Sequence, residues 1–169
     1  FRAKSDSDAS AHLRTAVQRA YKDREARYPI EWILERTVLR EDLDPTNAAE
    51  GLVQWVNFKF NLGWTADKVA GRSIQKVADE LYAIGRGYVE EGRMEAEVDA
   101  ALKSGGDPTE WARKRFGPAF DETVFEQAAD RREALLSFGG ELIRRELTML
   151  ERYVLLQLYD QSWKEHMHA

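Results

Sequence analysis

The stretch Leu150-Glu151-Arg152-Tyr153-Val154-Leu155-Leu156-Gln157-Leu158-Tyr159-Asp160-Gln161-Ser162-Trp163-Lys164-Glu165-His166-Met167 decides the fold of this chain. It belongs to a longer helical pattern from Glu141 to Ala169. At about 100° per residue, Leu142, Ile143, Leu147, Leu150 and Val154 fall on one apolar stripe, which needs one partner. From Tyr153 to Tyr159 the apolar residues point all round the axis, and a helix apolar on every side is expected to be buried on every side. Beyond that point Trp163 and Met167 continue the line of Leu156. Such a helix contacts different neighbours along its length, as a spine does. The apolar period reaches Met167 with no glycine or proline to cap it. Together with Phe1 in place of an initiator Met, this gives the expectation of a piece of a longer protein.

Composition narrows the class. The 169 residues suffice for one domain or two small ones. A hydrophobic fraction of 43% permits a core, while 33% charged residues require a large solvated surface, the balance of amphipathic helices. A net charge of -5 argues against a nucleic-acid partner, which needs an electropositive face. The cluster Arg113-Lys114-Arg115 reads as a solvated helix face. Without cysteine there are neither disulfides nor thiolate metal sites. No apolar run approaches the roughly 20 residues that span a bilayer, and the first twenty residues hold no signal-peptide core. A cytoplasmic location is the default expectation.

Taken in order, the residues after Ser5-Asp6-Ser7-Asp8 predict a helix to about Arg27, with Leu13, Ala16, Val17, Ala20 and Tyr21 as its buried stripe. Tyr28-Pro29 interrupts it, because the residue before proline avoids helical dihedrals. Helix resumes over Ile30 to Arg40. Asp44-Pro45 supplies a cap with proline at the first helical position. The helix that follows runs to about Lys59 and gives way to a short extended segment, although Val56, Phe58, Phe60, Leu62 and Trp64 also alternate with strand period. A lone strand would leave its backbone groups unsatisfied. Thr65 and Ser73 are further cap candidates. The helix carrying Ile74, Val77, Leu81 and Tyr88 is expected to bend or break near Gly85 to Gly87. Met94 to Leu102 is helical and ends at Ser104-Gly105-Gly106. Asp107-Pro108-Thr109-Glu110 is a capping-box pattern, and Gly117-Pro118 stops its helix. Asp121 caps the next helix, predicted to run to Phe138, where Gly139-Gly140 either kinks it or separates it from the spine.

Chemistry is sparse. No glycine-rich loop ends in Lys-Ser or Lys-Thr, so the chain lacks a phosphate cradle of the P-loop kind. His166 and His168 beside Glu165 invite a metal reading, but a bridged helix-bundle site needs several such ligand sets and only His12 remains elsewhere. The serines have no nucleophile elbow around them. No catalytic residue, cofactor-binding residue or metal ligand is assigned. Asp160 and Lys164 form an i,i+4 surface brace. The five tryptophans, Trp32, Trp55, Trp64, Trp111 and Trp163, read as anchors of small helical subdomains.

Glu151-Arg152, Val154-Leu155-Leu156, Asp160, Trp163, Lys164-Glu165-His166-Met167 and then His168-Ala169 stand at the spacing of the long scaffold helix of SecA-type preprotein translocase ATPases, which this stretch resembles. Gly51 to Ile84 and Glu110 to Phe120 are loosely similar to the helical wing preceding that helix in the family. The stretch from Phe1 to Asp42 shows no clear counterpart. The resemblance implies an all-α fold, an irregular helical wing subdomain docked on a long scaffold helix. It divides the chain into N-terminal helices (1–44, an insertion or a first scaffold part), a wing (45–120) and a scaffold helix (121–169). It further implies a parent motor whose two RecA-like domains bind ATP and Mg and drive preproteins through the Sec channel, with no cofactor in this stretch. Glu151, Arg152, Asp160, Trp163, Glu165 and His166 would then be docking and transmission contacts to the ATPase domains. The parent would be cytoplasmic and peripheral at the inner membrane. A different class, a free-standing helical protein-protein interaction module, also fits an open apolar end around Trp163 and Met167.

Overall fold

The computed structural model describes residues 2–167, and the side chains of 9–167. The described residues form seven α-helices: α1 (Arg2–Arg36), α2 (Pro45–Phe60), α3 (Ile74–Glu90), α4 (Arg93–Lys103), α5 (Pro108–Phe116), α6 (Glu122–Gln127) and α7 (Arg131–Met167). Short 3-10 turns occupy Ala66–Lys68 and Gly117–Ala119. No strand occurs among the described residues, and the all-α expectation holds. The chain divides into two compact units, Phe1–Glu97 and Val98–Ala169, with the division inside α4.

In the first unit α1 runs straight through Pro29, where an interruption was expected. Proline removes one helical donor and costs about 3 kcal/mol inside a helix. Ala26, Ile30, Ile33 and Leu34 supply the compensation: they share one helical face, all are buried, and each large side chain contributes about 1.5–3 kcal/mol. The helix ends at Arg36, short of the expected Arg40, and Thr37 to Leu39 form a turn in which the Thr37 hydroxyl donates to the Ile33 carbonyl at 2.7 Å. The other expected stripe fails. Leu13, Val17 and Tyr21 are exposed, because among the described residues nothing packs over that side of α1.

Helix α3 also runs unbroken past its glycines. A Cβ on Gly85 would lie 2.9 Å from the Ala26 carbonyl oxygen and 3.2 Å from Ile30 Cδ1, so this glycine marks the closest approach of α3 to α1. At Gly87 a Cβ would overlap the Arg93 guanidinium. The glycines therefore admit neighbours, and the helix absorbs their propensity cost. Gly92, at φ 72°, makes the turn into α4.

Caps read from the sequence are in place. The Asp44 carboxylate accepts from the Thr46 and Asn47 amides at 3.0 and 3.2 Å, and Ser73 Oγ accepts from the Lys76 amide at 3.4 Å. Thr65 precedes a 3-10 turn and makes no side-chain cap bond. Helix α2 closes at Asn61 in the left-handed region, φ 52°. The extended segment that follows is bracketed by Asn57, whose side chain donates to the Trp64 carbonyl at 2.7 Å and accepts from its amide at 2.6 Å. A side chain thus supplies what a second strand would.

In the second unit, Asp107 caps α5 by accepting from the Thr109 amide at 2.9 Å, and Gly117 ends it at φ 58°. Trp111, Phe116, Phe138, Phe120 and Phe125 form a continuous aromatic cluster with ring centroids 5.2–6.1 Å apart. Arg115 departs from the expected solvated face: it is buried, its guanidinium 5.9 Å from the Phe116 ring centroid. Arg113 does face solvent and pairs with Glu122 at 2.6 Å. Helix α6 stops at Gln127 instead of continuing to Phe138. The break comes from Asp130, whose carboxylate accepts from the Arg132 and Glu133 amides at 2.8 and 3.1 Å and starts a new helix there. Helix α7 then passes through Gly139-Gly140 without interruption, because Leu135, Phe138, Leu142, Ile143 and Leu147 hold one buried stripe across them.

Candidate functional site

The distal part of α7 carries every site residue expected from the sequence. The proximal part, to Leu147, is buried on its stripe, and Leu150 and Glu151 are half-buried. From Arg152 to Met167 every residue is exposed. Leu156 is 67% exposed, Tyr159 75% and Trp163 64%. The expectation that Tyr153 to Tyr159 is buried on every side is thus not met within this chain. The pattern is real, but periodicity records only that a surface needs covering; it does not say that the cover lies within this chain.

The helix places its apolar residues in two zones. Between Tyr153 and Leu158 they project all round, with Val154, Leu155 and Leu158 spread over one side and Tyr153 and Leu156 on the other. Past Leu158 they narrow to one strip, Tyr159, Trp163 and Met167, in line with Leu156. Gln157, Gln161 and Lys164 occupy the opposite side. A body docked here would be gripped all round at the first zone and along one edge at the second.

The polar residues brace this presentation. Lys164 Nζ lies 2.6 Å from Asp160 Oδ2, the expected i,i+4 pair, and Gln161 donates to Glu165 Oε1 at 3.1 Å. Arg144 pairs with Glu151 at 3.4 Å, tying the root of the exposed segment to the packed part of α7. Exposed pairs of this kind contribute about 0.3–0.5 kcal/mol each, so they order side chains more than they stabilise the helix. Arg152, Trp163 and His166 project from the same helix as exposed side chains. Arg152 and Trp163 share the strip of Leu156, while Glu151 and Glu165 lie on the other side.

No nucleophile and base are brought together at this site, and the described residues contain no group of three or more His, Asp or Glu placed to hold a metal ion. His168, considered above as a partner of Glu165, lies outside the described residues. Among the described residues no helix is long and apolar enough to cross a membrane. Of the other tryptophans, Trp55 packs edge-on to Phe60 at 5.7 Å, Trp111 edge-on to Phe116 at 5.5 Å, and Trp32 and Trp64 lie under Arg36 and Lys68. Four of the five anchor local packing as expected, and Trp163 alone stands clear of it. Sequence reasoning missed a second exposed apolar face, Leu13 and Val17 on α1, because its period is that of an ordinary buried stripe.

No family model matches the chain, and no solved structure matches it. Among curated proteins it is 26% identical over 180 aligned residues to protein translocase subunit SecA 1 of Rhodopirellula baltica (strain DSM 10527 / NCIMB 13988 / SH1). The match covers 92% of this chain and 14% of that relative, so the chain spans about a seventh of its length. About 14 residues of the chain fall outside the match, which therefore extends into the stretch before Asp42, where no counterpart was expected. Over most of its length the chain is similar to a segment of a SecA translocase subunit, the family whose scaffold helix the exposed end of α7 resembles.

Proposed function

We propose that this chain is the wing-and-scaffold part of an ATP-driven motor that moves preproteins through the Sec channel, with residues 45–120 as the wing and α7 as the scaffold helix. One observation carries the reading: apart from the half-buried Glu151, the residues that match the family's spacing are exposed at the end of α7, beside an apolar surface that one body must grip all round. A surface of this kind is costly to leave in water and marks an interface. The similarity to a SecA segment supplies the parent.

In this reading Glu151, Arg152, Asp160, Trp163, Glu165 and His166 contact the ATPase domains and transmit their movement. ATP and Mg would be held elsewhere in the parent, since this chain has no loop patterned for a nucleotide phosphate. The chain acts mechanically, and the parent works on the cytoplasmic side at the inner membrane. A free-standing interaction module would expose the same helix end, and one experiment separates the two. In the full-length protein, Trp163→Ala is expected to leave ATP turnover in place while transport per ATP hydrolysed falls several-fold. Trp163 is exposed here, so the substitution spares the packing of this chain. Unchanged coupling in a folded variant would sink the transmission role.

A further inference from the structure

We draw no further inference here: the strongest candidate, the polar groove between the first half of α1 and the end of α3 lined by His12, Thr15, Arg19, Asp23, Arg86 and Glu90, has only exposed side chains, and its arginines each stand four residues before an acid of the same helix, so its charges cancel and nothing in the structure selects a ligand for it.

Discussion

Gly85 and Gly140 are both glycines inside long helices, and the structure gives them opposite roles. At Gly85 a methyl group would press on the Ala26 carbonyl at 2.9 Å, backbone against backbone, where neither side can yield without moving α3 from α1. At Gly140 nothing lies within 4 Å of an added Cβ. Alanine gains about 1 kcal/mol over glycine in a helix interior. Gly140→Ala should therefore stabilise the chain by up to about 1 kcal/mol. Gly85→Ala should destabilise it by about 1–3 kcal/mol, overpacking outweighing the gain in propensity. Urea denaturation of both variants reads the difference. A stabilising Gly85→Ala would mean that α3 does not approach α1 as described. The two sites look alike in sequence, since a glycine in a helical pattern does not say whether it makes room for a neighbour or is merely tolerated.

At the scale of the element, four helix starts were legible because a side chain caps its own backbone. Asp44, Ser73, Asp107 and Asp121 act within three residues, and local chemistry suffices to find them. Continuity was not legible at Pro29, Gly85 or Gly139, because there burial on a partner overrides local propensity, and the partner is distant in sequence. Asp130 was missed as a cap because the apolar period around it suggested one helix. The site residues of α7 were legible as a pattern, but their exposure was not. Ion pairs between elements are equally invisible in sequence, and Glu80 shows what one does. Its carboxylate accepts from Lys68 at 3.1 Å and Arg72 at 2.8 Å, fastening the 3-10 turn and the loop after it to α3. Burial pushes the Glu80 carboxyl upward, but the bonds from Arg72 and Lys68 outweigh it and hold the group below its ordinary value of 4.5. A depressed folded-state value means that the contribution is present above the unfolded value and is lost as pH falls through the carboxylate range. Glu80→Gln should therefore be less stable than the parent sequence at pH 7, with the gap closing by pH of about 3. A gap of the same size at both pH values would show that the ion pairs contribute nothing and that packing of the side chain is what matters.

On the scale of the whole molecule, α7 is about 55 Å long at 1.5 Å per residue, and its distal 16 residues, about 24 Å, are all exposed among the described residues. A helix held only by its own hydrogen bonds is marginal in water at that length. Amide exchange in residues 152–167 is therefore expected to be fast in the chain by itself and much slower over residues 131–150, where Leu135, Leu142 and Ile143 are buried. In the full-length polypeptide the same distal amides should slow by at least about a hundredfold, since covering Leu155, Leu156, Leu158 and Trp163 would contribute about 1.5–3 kcal/mol per side chain before the cost of ordering them. This comparison tests the cover itself, apart from what it transmits. Slowed exchange with normal coupling in Trp163→Ala would leave the interface standing and remove its mechanical role. Exchange equally fast in both contexts would mean that nothing in the parent closes on the helix, and the apolar collar would then have to serve a partner that comes and goes.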